Sequence, residues 1–166
     1  MAVGTHLSAA AIGFLAGIGI THVTIYPPPA ITIIITGNQF QTAGNPLQFG
    51  QVYEATSIIL TAALQKAGVI NINILKAADD KQELKRILEN ALQQSDMVLF
   101  TGGVSVGDYD FVLQISEECG IEQQFHKIKQ RPGKPLFFGT AKNKMVFGLP
   151  GNPSSSLVFL YEYVLP

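Results

Sequence analysis

The sequence predicts an α/β fold: a three-layer sandwich with a mostly parallel, mixed central sheet flanked by helices. Two observations carry that expectation. Between residues 31 and 118, short apolar runs of strand length alternate with longer runs of helical periodicity. Three such strand and helix pairs in succession are the mark of a parallel sheet with right-handed crossovers. Residues 136–148 then give two strand-like runs joined by Ala141, Lys142 and Asn143, a hairpin that makes the sheet mixed.

Composition narrows the class. A chain of 166 residues suits one domain with a sizeable core, and 47% hydrophobic against 14% charged residues is too apolar for disorder. With a net charge of −1, neither nucleic acid nor an anionic membrane surface is indicated. The lone Cys119 precludes an internal disulfide and a cysteine zinc cluster, so a reducing cytoplasm is the expected compartment.

The elements come in order along the chain. Residues 7–20 are apolar but too short to span a membrane, and no lysine or arginine precedes them. They are expected to form a buried helix, with Thr5 or Ser8 as N-cap and Gly17 or Gly19 near its end. A short strand is expected at residues 22–26. Pro27, Pro28 and Pro29 cannot join a ladder and act as a stiff connector, so residues 1–30 read as a lead-in and 31–166 as the domain.

Residues 31–36 are β-branched throughout, typical of a strand buried on both faces. A polar loop over 38–50 leads to a helix predicted for 51–67, with Ile58, Ile59, Ala62 and Ala63 on its inner side and Gly68 as its stop. A strand over 69–75 and a helix to about residue 94 come next. Asp79 or Asp80 caps that helix, and Leu84, Ile87, Leu88 and Leu92 face inward. Residues 97–101 form the third strand, and 111–118 belong to the helix after it. Beyond a strand over 125–129, Arg131–Pro135 spells a rigid basic turn, RPGKP.

Two stretches look equipped for chemistry. Residues 99–111, LFTGGVSVGDYDF, leave a strand and turn on Gly102 and Gly103. They expose Ser105 and bring Asp108 and Asp110 to a helix start at the carboxyl end of the strand, where open α/β sheets bind ligands. A carboxylate there can cap the helix or join its neighbour in holding a hard cation such as Mg²⁺. Residues 148–153, GLPGNP, lead into a last helix with Asn152 as N-cap and Pro153 at its first position. Ser154, Ser155 and Ser156 line the first turn, an arrangement that suits a phosphate.

Other chemistries are set aside. There is no GxxxxGK[ST], and Gly17 with Gly19 lacks the third glycine and the strand context of a dinucleotide fingerprint. His6, His22 and His126 have no ligand spacing. GVSVG matches a nucleophile elbow in letters only, and Cys119 reads as packing.

Taken together, GGVSVGDYDF, FHKIKQRPGKPLFFG and VFGLPGNPSSS resemble the molybdenum-cofactor biosynthesis domain of the molybdopterin molybdenumtransferase (MoeA-type) family, which includes the gephyrin E domain. THLSAAAIGFLAGIGI resembles the family's lead-in to that domain. The resemblance implies a transferase that inserts molybdate-derived molybdenum into molybdopterin, or its adenylylated form, with Mg²⁺. By this likeness Gly102, Gly103, Ser105 and Asp108 lie along the pterin phosphate or adenylate. Asp110 sits at the metal and molybdate end, and Asp79 matches a further acidic position. Lys134, beside Pro135, counters the ligand's charge, while Asn152, Pro153 and Ser155 supply contacts at the helix start. Catalysis would rest on Asp110 and Asp108. The likeness also implies further domains on either side, a homodimer, and the molybdopterin adenylyltransferase as a possible partner.

The chain departs from the family at Asn38 and Gln39, amides where TGDEL has acids, and at Glu54, Ala55 and Thr56, where YDSN is usual. An amide brings no negative charge to a metal. The alternatives are therefore a non-catalytic scaffold of the same fold and a molybdopterin adenylyltransferase, whose TGGTGP loop VSVGDYD matches poorly.

Overall fold

The computed structural model describes residues 2–37, 39–101, 109–131 and 134–166, with the backbone alone for 109–111. A six-stranded sheet forms its centre. In chain order the elements are α1 (Ala9–Gly17), β1 (Ile31–Thr36), β2 (Phe40–Gln41), β3 (Val52–Tyr53), α2 (Thr56–Lys66), β4 (Ile72–Ala77) and α3 (Lys81–Gln94). Then come β5 (Met97–Thr101), α4 (Tyr109–Glu118), β6 (Glu122–His126), β7 (Phe137–Ala141), β8 (Lys144–Leu149), α5 (Pro153–Phe159) and a π-helical turn, Leu160–Val164. The strand order is β4-β1-β5-β8-β7-β6, with β2 and β3 in a small parallel ribbon of their own. Neighbours β4, β1, β5 and β8 pair in parallel; β7 runs antiparallel to β8, and β6 to β7. The expected mixed, mostly parallel sheet is thus present, and so is the hairpin through Ala141 and Lys144.

Alternation along the strands builds two cores. Ile31, Ile33 and Ile35 of β1, Met97 and Leu99 of β5, and Phe147 and Leu149 of β8 face one side, where Leu60, Ala63 and Leu64 of α2 and Phe159 and Leu160 cover them. Ile34, Val98, Phe100 and Val146 face the other side, against Leu84, Ile87, Leu88 and Ala91 of α3 and Val112 and Ile115 of α4. Strands buried on both faces need apolar residues at every position, which is why β1 and β5 read as unbroken apolar or β-branched runs. Each fully buried Leu, Ile or Phe contributes about 2 kcal/mol. At the amino edge Asp96 joins strands: its carboxylate accepts from Ala30 N at 2.8 Å, and its backbone oxygen accepts from Met145 N at 3.0 Å. Thr32 and Ser95 share a 2.5 Å hydroxyl contact nearby.

Across the outer surface Glu118 ties α4 to α3, 2.8 Å from Lys81 Nζ and 2.9 Å from Lys85 Nζ. The hydrogen bonds from Lys81 and Lys85 pull its carboxyl down to about 2. Cys119 packs beside the α3/α4 core, and burial pushes its thiol up, consistent with a packing role.

Several expectations need correction. The lead-in helix forms and Ser8 caps it, accepting from Ala11 N at 3.3 Å, but it has no buried residue. Both faces of the sheet are covered by α2 with α5 and by α3 with α4, and it lies outside these two layers. Residues 22–26 form no strand, because they lead into the amino end of β1, a central strand with both neighbours in place. Helix α2 starts at Thr56 because Val52–Tyr53 pairs with Phe40–Gln41. Its inner stripe is Leu60, Ala63 and Leu64, while Ile58 is 60% exposed. The second strand runs over Ile72–Ala77, and β6 lies three residues earlier than its predicted span. Ala91 belongs to the buried face of α3, with Leu92 half-buried. No helix among the described residues is long and apolar enough to cross a membrane.

Candidate functional site at the carboxyl edge of the sheet

Leaving its carboxyl end, β1 passes through α2 to β4 on one flank, while β5 leads towards β6, β7 and β8 on the other. The switch point thus falls between β1 and β5, and crevices at such points are where open α/β sheets take ligands. At its mouth stand Thr36 and Thr101, the last residues of the two strands. Both are buried, and neither hydroxyl has a hydrogen-bond partner among the described residues. Beyond Thr36, Gly37 has φ +126°, and a Cβ there would come within 3.0 Å of the Phe40 ring, so glycine is required for the turn.

Three further segments reach the same edge. First, the turn after β8 leads into α5: Asn152 Oδ1 accepts from Ser155 N at 3.2 Å, Pro153 opens the helix, and Ser156 Oγ donates to Pro150 O. Ser155 and Ser156 are buried; Asn152 is exposed. Second, the bend between β6 and β7 overhangs β8. Phe137 is registered with Gly148, so Pro135 and Lys134 run out beyond Leu149. Ile128 N donates to Lys134 O at 3.1 Å, and the Lys134 side chain is exposed. Third, the start of α2 is held by Glu54, whose buried carboxylate accepts from Ser57 N at 2.8 Å and from Ser57 Oγ at 2.5 Å. Thr56 Oγ1 donates to Gly151 O at 3.3 Å, binding this start to the β8–α5 turn.

The structure distributes the predicted residues unevenly. Asn152, Pro153, Ser155, Lys134 and Pro135 lie on this edge in the expected elements. Asp79 lies at the same edge after β4 and is exposed; Asp80, not Asp79, caps α3, accepting from Glu83 N at 2.8 Å. Asp110 falls in the first turn of α4. Gly102, Gly103, Ser105 and Asp108, like Asn38, lie outside the described residues. Glu54 and Thr56 were not foreseen, because a helix predicted from residue 51 put both inside it.

The donor set bears on a metal. Among the described residues no three His, Cys, Asp or Glu side chains converge; the side chains of Asp108 and Asp110 lie outside them, which leaves Asp79 as the described member of the expected acidic set. No metal-dependent step is therefore derived from this arrangement. What the edge offers is a rim of backbone amides at a helix start, hydroxyls, a side-chain amide and a lysine, a set suited to an oxyanion on an otherwise neutral ligand.

Residues 32–166 match the family described as a probable molybdopterin binding domain. The chain is 36% identical over 163 residues to a molybdopterin molybdenumtransferase of Haemophilus influenzae, covering 98% of this chain and 40% of that protein. The corresponding enzyme of Bacillus subtilis is 31% identical, with 98% and 38% covered. A solved molybdopterin biosynthesis moeA protein from Pyrococcus horikosii superposes with a TM-score of 0.79 at 34% identity, covering 98% of this chain and 40% of that one. A CinA protein of unknown function from Thermoplasma acidophilum, at 17% identity and TM-score 0.66, shares the fold alone. The chain spans about 40% of the length of the transferases it matches, and by the match over its domain it belongs to the molybdopterin-binding domain family.

Proposed function

We propose that this chain is the pterin-holding part of a molybdopterin molybdenumtransferase and works in molybdenum cofactor biosynthesis. Molybdopterin, or its adenylylated form, would lie along the carboxyl edge while molybdate-derived molybdenum enters its dithiolene. The observation that carries this reading is the convergence of the β8–α5 turn, the β6–β7 bend and the ends of β1 and β5 on one edge, in a chain that matches transferases over 98% of its length.

Each residue has a definite task in this reading. Lys134, exposed and followed by Pro135, offsets the ligand's negative charge. With its oxygen committed to the cap, Asn152 has its amide nitrogen to offer. Ser155 shapes the helix start, and Gly102, Gly103, Ser105 and Asp108 would lie along the pterin phosphate or adenylate. Asp110 would sit at the metal and molybdate end. Mg²⁺ would be held by Asp110 with Asp79, supplying charge neutralisation for the oxyanion. A homodimer, contact with the adenylyltransferase and a cytoplasmic setting belong to the same proposal.

One observation favours a second reading, a binding or scaffold module without turnover. Amides stand at Asn38 and Gln39 where acids are usual. Calorimetric titration of the chain with molybdopterin, with and without Mg²⁺, separates the two. Under the transferase reading Lys134→Ala weakens binding at least tenfold, and Asp110→Ala abolishes any gain from Mg²⁺. Tight binding that ignores Mg²⁺ supports the scaffold module; no binding by the folded chain sinks both.

A further inference from the structure

The bend between β6 and β7 is a cationic object. Lys127, Lys129, Arg131 and Lys134 fall within eight residues that contain no acid. Its arms stay paired as far as Lys127 N to Leu136 O, 2.9 Å, and Ile128 N to Lys134 O, 3.1 Å. Along this stretch the like charges repel one another.

Two contacts tether it to the C-terminal helix. Ile128 packs against the cluster that contains Phe159 and Leu160. Two residues further on, Gln130 Oε1 accepts from the Tyr163 hydroxyl at 2.5 Å. Tyr163 is itself braced: its ring meets Phe159 edge-on, with centroids 5.6 Å apart and planes at 76°. It stands in the π-helical turn Leu160–Val164, closed by Leu165 N donating to Leu160 O at 2.9 Å. A π turn carries one extra residue, which rotates the side chains beyond it about the helix axis and so sets the direction in which Tyr163 points.

We propose that Tyr163 is a positioning residue which, through Gln130, latches the cationic bend so that Lys134 is held ready for an anionic ligand. This rests on the edge site proposed above. Without the latch the bend samples more conformations, and part of the binding free energy is spent on ordering it.

The test is a binding cycle with molybdopterin as probe, using the native chain, Tyr163→Phe, Lys134→Ala and the double variant. Tyr163→Phe loses one hydroxyl and keeps the Phe159 contact, so its thermal midpoint is expected to fall by no more than about 4 °C. Its affinity should fall roughly threefold to tenfold, the scale of one hydrogen bond. In the Lys134→Ala background the same change should cost nothing further, because there is no lysine left to position; a general loss of structure would remain additive. Amide exchange over residues 129–131 should quicken in Tyr163→Phe. Native affinity in Tyr163→Phe alongside weakened Lys134→Ala overturns the latch and leaves the edge site standing. Native affinity in Lys134→Ala, or no binding by any form, overturns the edge site and the latch with it.

Discussion

At the scale of single residues, glycine is required where strands crowd. A Cβ on Gly139 would lie 2.6 Å from Ile121 Cγ2, 3.0 Å from Phe137 Cζ and 3.1 Å from Glu122 O. The last is backbone of the neighbouring strand and cannot swing aside. Gly139→Ala is therefore expected to destabilise the chain by about 1–3 kcal/mol in denaturant unfolding, as overpacking does; native stability would show that β6 moves outward without penalty. Asn152 does two jobs that can be separated. Asn152→Ala removes the acceptor for Ser155 N and should cost about 1 kcal/mol of stability. Asn152→Asp keeps the cap, so stability should stay near native while affinity for an anionic pterin falls; equal losses in both would tie the residue to folding alone. Capping of this kind was legible from Asn152, Pro153 and the serines, because it is local chemistry. Glu54 was not, because its task depends on where α2 begins, which the pairing of Val52–Tyr53 with Phe40–Gln41 decides.

At the scale of elements, the α3–α4 pair is fastened from outside by one carboxylate between two ammonium groups. The Glu118 carboxyl stands at about 2, below its ordinary 4.5, first through the hydrogen bond from Lys81 and then through that from Lys85. A lowered folded value means that the stabilisation is fully present above pH 4.5 and is lost as pH falls towards 2. Exposure and salt screening keep it small. In a carboxyl titration by NMR, Glu118 should show its midpoint near 2, rising towards 4.5 in Lys81→Ala/Lys85→Ala; a midpoint unmoved by that change would mean that the lysines do not set it. Helix α3 itself was readable, since Leu84, Ile87 and Leu88 repeat at helical spacing. For α2 the apolar pattern pointed to Ile58 rather than to Leu60 and Leu64. A helix that is apolar on several sides does not declare which side meets the sheet, and the covering layer decides it.

At the scale of the whole molecule, the order β4-β1-β5-β8 brings segments far apart in sequence to one edge, a convergence set by long-range pairing. Alternating strands and helices predicted the layers; they could not say that β7 and β6 lie outside β8 or that the bend between them runs out past the end of β8. The same layering explains the lead-in. Its apolar residues, among them Ile12, Phe14, Val23 and Ile25, read as core, yet all four are exposed, because the two sheet faces are already covered. No residue from 2 to 30 is buried, and among the described residues the first hydrogen bonds to the domain are those of Ala30, which donates to Asp96 and accepts from it. Deleting residues 2–28 removes no buried side chain and leaves that junction intact. The truncated chain is expected to unfold within about 0.5 kcal/mol of the native one, the range of surface changes, and with an equal denaturant slope. A loss of several kcal/mol together with a smaller slope would mean that the lead-in buries its apolar residues against the domain in solution, making it part of the core that its composition suggests.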